Sequence, residues 1–148
     1  MEPVTTNPAA CNCLALRQAA RHVTQFYDQF LAPSGLRSTQ YSILARLQRK
    51  GPMTINALAA ELVMDRTTLG RNILPLQRDG LVSVGRGKSD RRSKELCLTP
   101  SGVARWRAGS KAWTEAQAQF ESTFGVKQAR ALRSMLADVT SHEFAASV

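Results

Sequence analysis

The sequence predicts a mainly α-helical protein that carries one small β-wing. Apolar residues recur at helical spacing through most of the 148 residues, and the period changes to that of strands only near residues 81–98. The composition, 43% hydrophobic and 21% charged, is that of a globular chain. No apolar run approaches the roughly 20 residues of a membrane span, and no signal-peptide pattern is visible. We therefore expect a single cytoplasmic domain without membrane contacts.

The first two predicted helices are joined by a short turn. Asn7 and Pro8 form an N-cap followed by proline at the first helical position, which predicts a helix over residues 8–31. The stretch "APSG" at 32–35 ends that helix. Ser38 is expected to cap the second helix and Gly51 to end it.

Two further helices follow, and the second of them has a polar outer face. Thr54 is expected to cap a short third helix, and Asp65 a fourth that ends near Asp79 and Gly80. Pro75 lacks an N–H and is expected to bend that fourth helix. Its apolar stripe consists of Leu69, Ile73 and Leu76, and its outer face carries Thr67, Thr68, Arg71 and Arg78.

A basic hairpin comes next in the chain. Strands are predicted around Leu81–Val84 and Leu96–Leu98, joined by a loop over 85–94. That loop has one acid, Asp90, and five cations, which are Arg86, Lys88, Arg91, Arg92 and Lys94. Residues 66–94 hold eight basic and two acidic residues, and the whole chain has a net charge of +9. Like charges concentrated in this way indicate a polyanionic partner.

The chain closes with two more predicted helices. Thr99 and Pro100 start a long helix that runs to about Ser122, and a last helix carries apolar residues between Ala129 and Val139. Short helices followed by a two-stranded wing are the parts of a winged helix-turn-helix. Such a domain places one helix in the DNA major groove, and a basic loop beside it reaches the neighbouring minor groove.

Residues 54–102 resemble the MarR-type transcriptional regulators. The resemblance rests on Thr68 and Arg71 in the recognition helix, "DGL" before the wing, "DRR" at its tip and "LTPSG" after it. It implies one MarR-like domain over 1–148, with a DNA-binding lobe at 36–99 and a helical dimerisation region at 8–31 and 100–145. It also implies a homodimer, a pseudo-palindromic operator and, as the family's usual mode, repression.

The helix face and the basic loop together define the expected DNA-binding residues. Within the loop, Asp90 is expected to hold Arg92 in place, following the Asp-x-Arg element of the family. The expected DNA-binding residues are Thr67, Thr68, Arg71, Arg78, Arg86, Lys88, Asp90, Arg91, Arg92 and Lys94.

Two signals compete as the stimulus that releases DNA. The first is a small aromatic or anionic ligand between the dimer helices and the DNA-binding lobe. Its candidate contacts are Arg17, His22, Phe26, Tyr41 and Arg46, each of which also has a plain role in packing or at the surface.

The second signal is oxidation of a thiol. "CLALRQAAR", beginning at Cys13, resembles the first helix of the peroxide-sensing branch of the family, in which tyrosines hydrogen-bond the reactive cysteine. Tyr27 and Tyr41 are the corresponding candidates here, and Cys11 is the candidate resolving thiol. Cys13 as a small buried hydrophobe is the simpler alternative, and Cys97 is expected to be inert.

Other classes of function find less support in the sequence. No phosphate-binding loop, catalytic motif or metal-ligand spacing is present, so we expect neither an enzyme nor a bound metal or cofactor. A nonspecific, nucleoid-type DNA binder is the remaining alternative, since it would share the basic wing but need neither operator nor ligand.

Overall fold

The computed structural model describes residues 7–87 and 92–144 and confirms the predicted fold class. The described residues form six α-helices and one three-stranded antiparallel sheet. The helices are α1 (Asn12–Leu31), α2 (Ser38–Lys50), α3 (Ile55–Glu61), α4 (Arg66–Arg78), α5 (Pro100–Phe124) and α6 (Val126–Ser141). The strands are β1 (Met53–Thr54), β2 (Val82–Arg86) and β3 (Lys94–Leu98).

The first helix begins later than the sequence predicted. Asn7 does act as a cap, with Oδ1 accepting from the N–H of Ala9 at 3.0 Å, but it caps only a 3-10 turn, Pro8–Ala10. Cys11 is extended, and its Sγ accepts from the N–H of Leu14 at 3.4 Å. The chain therefore starts a helix twice, because a second capping side chain follows four residues after the first.

Ser38 does not cap α2 as predicted, because Arg37 occupies the N-cap position. The Ser38 N–H and hydroxyl both donate to Asp28 Oδ1, at 2.7 and 2.6 Å. The N–H of Arg37 is satisfied instead by Gln40 Oε1 at 3.0 Å. Ser38 thus ties α2 to the end of α1, a contact that local sequence does not reveal.

Three predicted caps are confirmed. Thr54 and Asp65 accept from backbone N–H groups three residues on, at 3.1 and 2.8 Å, and they start α3 and α4. Thr99 caps α5 in the same way, and its hydroxyl also donates to the carbonyl of Gly80 at 2.6 Å. The end of α4 and the start of α5 are therefore joined by one side chain.

The sheet contains a strand that the sequence did not predict. Its order is β1-β3-β2, with Met53 opposite Leu96, and β1 is too short for an alternating pattern to show. The hairpin strands are also longer than expected. Arg86 pairs with Lys94, and the Gly87 N–H donates to the Ser93 carbonyl at 2.9 Å, so the predicted 85–94 loop narrows to 87–93.

The hydrophobic core lies between α2, α3, α4 and the sheet. Its fully buried side chains include Leu31, Ile43, Leu44, Leu58, Leu69, Leu76, Val82 and Leu96. By contrast, α1 and α6 bury only Leu31 and Ala129. Leu14 and Leu16 are exposed at different sides of α1. On α6, exposed apolar side chains share one side of the helix, which we call the α6 face: Met135, Leu136 and Val139. None of the described helices is long and apolar enough to cross a membrane.

Candidate nucleic-acid interface and ligand cleft

Helix α4 presents one buried face and one exposed face, as predicted. Leu69, Ile73 and Leu76 are between 0% and 3% exposed. Thr67, Arg71 and Arg78 lie on the exposed side. The helix continues through Pro75 to Arg78. Because the apolar stripe anchors the helix, the hydroxyl and guanidinium groups point away from the body of the subunit.

Thr68 is held by the residue that caps α4. Its hydroxyl donates to Asp65 Oδ2 at 2.7 Å, and its N–H donates to Oδ1. These hydrogen bonds lower the pKa of the Asp65 carboxyl below its usual value. Since its proton is engaged, the Thr68 hydroxyl is available as an acceptor and not as a donor.

The turn between α3 and α4 contains a strained residue that the sequence did not signal. Val63 has φ of 51° and its side chain is 72% exposed. A β-branched residue in the left-handed region costs ~1–2 kcal/mol. The Met64 N–H closes the turn by donating to the Ala59 carbonyl at 2.9 Å. This turn sets the direction in which α4 leaves α3.

The wing places cations opposite one another. Arg86 and Lys94 are cross-strand partners in the last pair of the hairpin, and both are exposed. Like charges in this arrangement repel and weaken a hairpin unless an anion lies nearby. Arg92 is also exposed. Lys88, Asp90 and Arg91 lie outside the described residues, so the expected contact between Asp90 and Arg92 stays a prediction.

A cleft of about 720 Å³ lies between α1, α2 and α5. Tyr41 stacks on Trp113 in its wall, with ring centroids 6.3 Å apart and planes 20° from parallel. Arg46 also lines the cleft, and its Nε lies 3.4 Å from Glu61 Oε1 on α3. The residues around the cleft are Tyr27, Leu31, Ser38, Tyr41, Ser42, Ala45, Arg46, Gln48, Arg49, Trp106 and Trp113.

The expected ligand contacts do not form one site. Tyr41 and Arg46 line the cleft, together with Tyr27. His22 and Phe26 instead line a separate, mostly apolar cavity of about 650 Å³ between α1, α5 and α6. Arg17 is exposed and lines neither space. Within one subunit these side chains do not converge, because different sides of helix α1 face different neighbours. Their sharing of one site in a dimer stays a prediction.

Within one subunit Tyr27 is out of hydrogen-bonding reach of Cys13, and the expected pairing of Cys13 with tyrosines stays a prediction. Tyr27 lies 14 residues farther along α1, about 21 Å by helical rise. Its hydroxyl donates to Gln117 Oε1 at 2.5 Å. Burial, followed by the charge of Glu121, raises the pKa of Tyr27.

The three cysteines have different surroundings. Cys11 and Cys13 are both exposed, so Cys13 is not a buried packing residue in the described subunit. Cys97 is partly buried on β3. Among residues 7–87 and 92–144, no group of three His, Cys, Asp or Glu side chains is placed to hold a metal ion.

The described residues contain helix α3, a tight turn, helix α4 and a basic two-stranded wing. These are the parts of a winged helix-turn-helix protein. The family model described as "MarR family" matches residues 36–94. The transcriptional regulator MosR from M. tuberculosis, solved in complex with DNA, is 37% identical in sequence to this chain. The match covers 89% of this chain and 99% of the MosR chain, with a TM-score of 0.73. The chain therefore belongs to the MarR family of transcriptional regulators.

Two curated relatives from Bacillus subtilis match over shorter stretches. The uncharacterized HTH-type transcriptional regulator YwoH is 34% identical over 84 residues, 57% of this chain and 61% of YwoH. The organic hydroperoxide resistance transcriptional regulator is 27% identical over 91 residues, 62% of each chain. Thus the chain spans about three fifths of the length of these curated relatives.

Proposed function

We propose that the protein is a homodimeric repressor that binds a pseudo-palindromic site on double-stranded DNA. The observation that carries the proposal is the exposed polar face of α4, where Thr67, Arg71 and Arg78 lie opposite a buried apolar stripe. An α-helix fits the major groove, and arginine can pair bidentately with guanine there. The nearby cations of the wing, including Arg86 and Lys94, then contact the adjacent minor groove and its phosphates.

Binding to intergenic DNA tests this proposal. The protein should shift the region beside its own gene at a much lower concentration than random DNA at the same salt. Equal affinity for the two DNAs would instead identify a nonspecific, nucleoid-type binder.

The wing can be tested separately from α4. Arg92→Ala should weaken binding to every DNA sequence and reduce the slope of log affinity against log salt by about one. Lys127→Ala removes the same charge from the exposed start of α6 and should leave both quantities unchanged. An unchanged slope in Arg92→Ala would show that this part of the wing does not contact DNA.

For the signal, we infer that a small aromatic anion binds in the cleft between α1, α2 and α5. The stacked rings of Tyr41 and Trp113 offer an aromatic wall, and Arg46 and Arg49 offer positive charge. Cavities of this size suit small ligands, which are mostly buried against apolar walls with a few polar anchors.

Arg46 connects this cleft with the DNA-binding helices. Glu61, the last residue of α3, lies 3.4 Å from Arg46 and 2.7 Å from Lys50. A ligand carboxylate that takes Arg46 away from Glu61 removes a contact between α2 and the helix preceding the turn into α4. The ligand thereby favours a different spacing of the two α4 helices in the dimer, and DNA is released.

A thermal-shift screen against aromatic acids tests the cleft. A ligand that raises the melting temperature of the wild type should lose most of its effect in Arg46→Ala. Arg17→Ala is the matched control, because Arg17 is exposed outside the cleft. Loss of the shift in Arg17→Ala but not in Arg46→Ala would place the ligand elsewhere.

We propose a thiol switch as a second candidate, which is favoured by the exposure of two thiols at the start of α1. Cys11 and Cys13 are both exposed and two residues apart, and Cys11 Sγ accepts from the Leu14 N–H. A hydroperoxide would oxidise one thiol to a sulfenic acid and leave as the alcohol. The other thiol would then displace water to form a disulfide. One curated relative is named for organic hydroperoxide resistance.

Titration of DNA binding with an organic hydroperoxide tests the thiol switch. Wild-type protein and Cys97→Ser should lose DNA binding, whereas Cys13→Ser should keep it. Reductant should restore binding in the oxidised wild type, because a disulfide is reversible. If oxidation still abolishes binding in Cys13→Ser, then Cys13 is not the switch.

A further inference from the structure

One exposed residue on the outer face of α4 has a large apolar side chain. Leu74 lies between Arg71 and Arg78 in the chain, and its side chain is 63% exposed. At 100° per residue, it lies about 60° from Arg71 and about 40° from Arg78 around the helix axis. It therefore lies on the side opposite the buried stripe, among the side chains that the proposed function assigns to DNA.

The position one helical turn earlier leaves Leu74 uncovered. Gly70 has helical geometry, and within the described residues no neighbouring side chain or distant backbone atom lies within 4 Å of a Cβ built there. Packing inside the subunit thus does not require a glycine, although glycine weakens a helix interior. A leucine in a helix points back over the residue four positions earlier. The apolar side chain of Leu74 therefore borders a notch at Gly70.

The major groove offers one apolar group that such a side chain can contact. That group is the C5-methyl of thymine, whereas the other groove-edge groups of the bases are hydrogen-bond donors and acceptors. The arginines on either side of Leu74 suit phosphate or guanine, so the surroundings of the leucine are those of a DNA contact and not of an apolar protein interface.

We propose that Leu74 contacts the methyl group of a thymine, next to the base that Arg71 reads, and that each half-site contains a thymine for this reason. This inference rests on the proposed function. It adds a specificity-determining residue whose contribution comes from apolar contact and not from hydrogen bonding.

Deoxyuridine substitution tests the proposal directly, because deoxyuridine pairs like thymidine but lacks the methyl group. Each thymine of the bound intergenic site is replaced in turn, together with its symmetry mate, and the dissociation constant is measured by fluorescence anisotropy. At one thymine position, the affinity of the wild type should fall about fourfold for each methyl group removed, the equivalent of ~0.8 kcal/mol. Leu74→Ala should bind the thymine and uracil sites equally, and Leu74→Met should keep the preference.

Val126→Ala is the matched control, since Val126 is 54% exposed at the start of α6. This variant should show the wild-type thymine preference. The proposal is overturned if no uracil substitution weakens the wild type, or if the thymine preference persists in Leu74→Ala. A wild type that binds intergenic and random DNA equally would refute the proposed function itself, which is a different result.

Discussion

Arg71 is the side chain on which recognition of a particular base should depend most. It lies on the exposed side of α4, opposite the stripe formed by Leu69, Ile73 and Leu76. Arg71→Ala should weaken binding to the preferred site by about 1–3 kcal/mol and relax the choice of base at one position. Competition binding with single-base variants of the site measures both effects.

The lysine variant separates charge from geometry at the same position. Arg71→Lys keeps the positive charge but loses the planar fork that pairs with guanine. Its affinity for random DNA should stay close to that of the wild type while its sequence preference falls. Full preference in both Arg71 variants would show that another residue reads the site.

Asp65 makes the contribution of the α4 N-cap to folding stability depend on pH. Hydrogen bonds from Thr68 lower the pKa of its carboxyl below the ordinary value of 3.8. The folded state therefore binds the proton less tightly than the unfolded state does. The stabilisation is complete above pH 3.8 and is lost as the pH falls through the lowered pKa.

Asp65→Asn should remove this part of the acid response. Between pH 7 and pH 3 the wild type should lose more of its free energy of unfolding than the variant does, as measured by urea denaturation at each pH. Other carboxyl groups titrate in both proteins, so the difference between the two profiles reports Asp65. Parallel profiles would contradict the assigned role of the cap.

The attachment of α5 to the wing depends on close contact between two elements. Gly102 lies in the first turn of α5, and a Cβ there would overlap the backbone carbonyl oxygen of Leu81. The same turn is held by Thr99, whose N–H donates to that carbonyl at 3.1 Å. A side chain at this position would have to push α5 away from the sheet.

Gly102→Ala should therefore destabilise the protein by about 3 kcal/mol, at the upper end for overpacking, because the obstructing atom belongs to the backbone. Gly70→Ala makes the same chemical change in a helix where neighbouring side chains leave space, and it should stabilise by up to ~1 kcal/mol. Urea denaturation of both variants measures the contrast. Similar free energies of unfolding would show that the contact at Leu81 can relax.

The α6 face is uncovered within the described subunit. In the described subunit Met135 is 63% exposed, and Leu136 lies beside it on α6. Exposed apolar patches of this kind mark sites of protein association. The ion pair between Arg133 and Glu121, at 3.5 Å, holds α6 against α5.

Leu136→Asp should therefore dissociate the proposed dimer, because it places a charge where apolar surface becomes buried. Light scattering should report a monomer, and DNA affinity should fall sharply because one half-site remains. Asn56→Asp introduces the same charge at an exposed position of α3 and should remain dimeric. A dimeric Leu136→Asp would show that α6 lies outside the interface.

Local signals in the sequence were enough to predict the helices and the polar face of α4. Asp65 and Thr99 cap their helices through contacts three residues away, and the apolar spacing on α4 identifies its buried side. Contacts of this range depend on neighbours in the chain, so residue type and spacing suffice to predict them.

Contacts between distant residues were decided by the tertiary structure. Ser38 binds Asp28 instead of capping α2, β1 pairs with β3 more than 40 residues away, and His22 and Tyr41 open into different cavities. Such outcomes depend on how the elements pack. A hydroxyl can hydrogen-bond to several acceptors, a two-residue strand can pair with several strands, and a ring can pack in several cavities. The sequence names those candidate partners, and only packing in three dimensions selects among them.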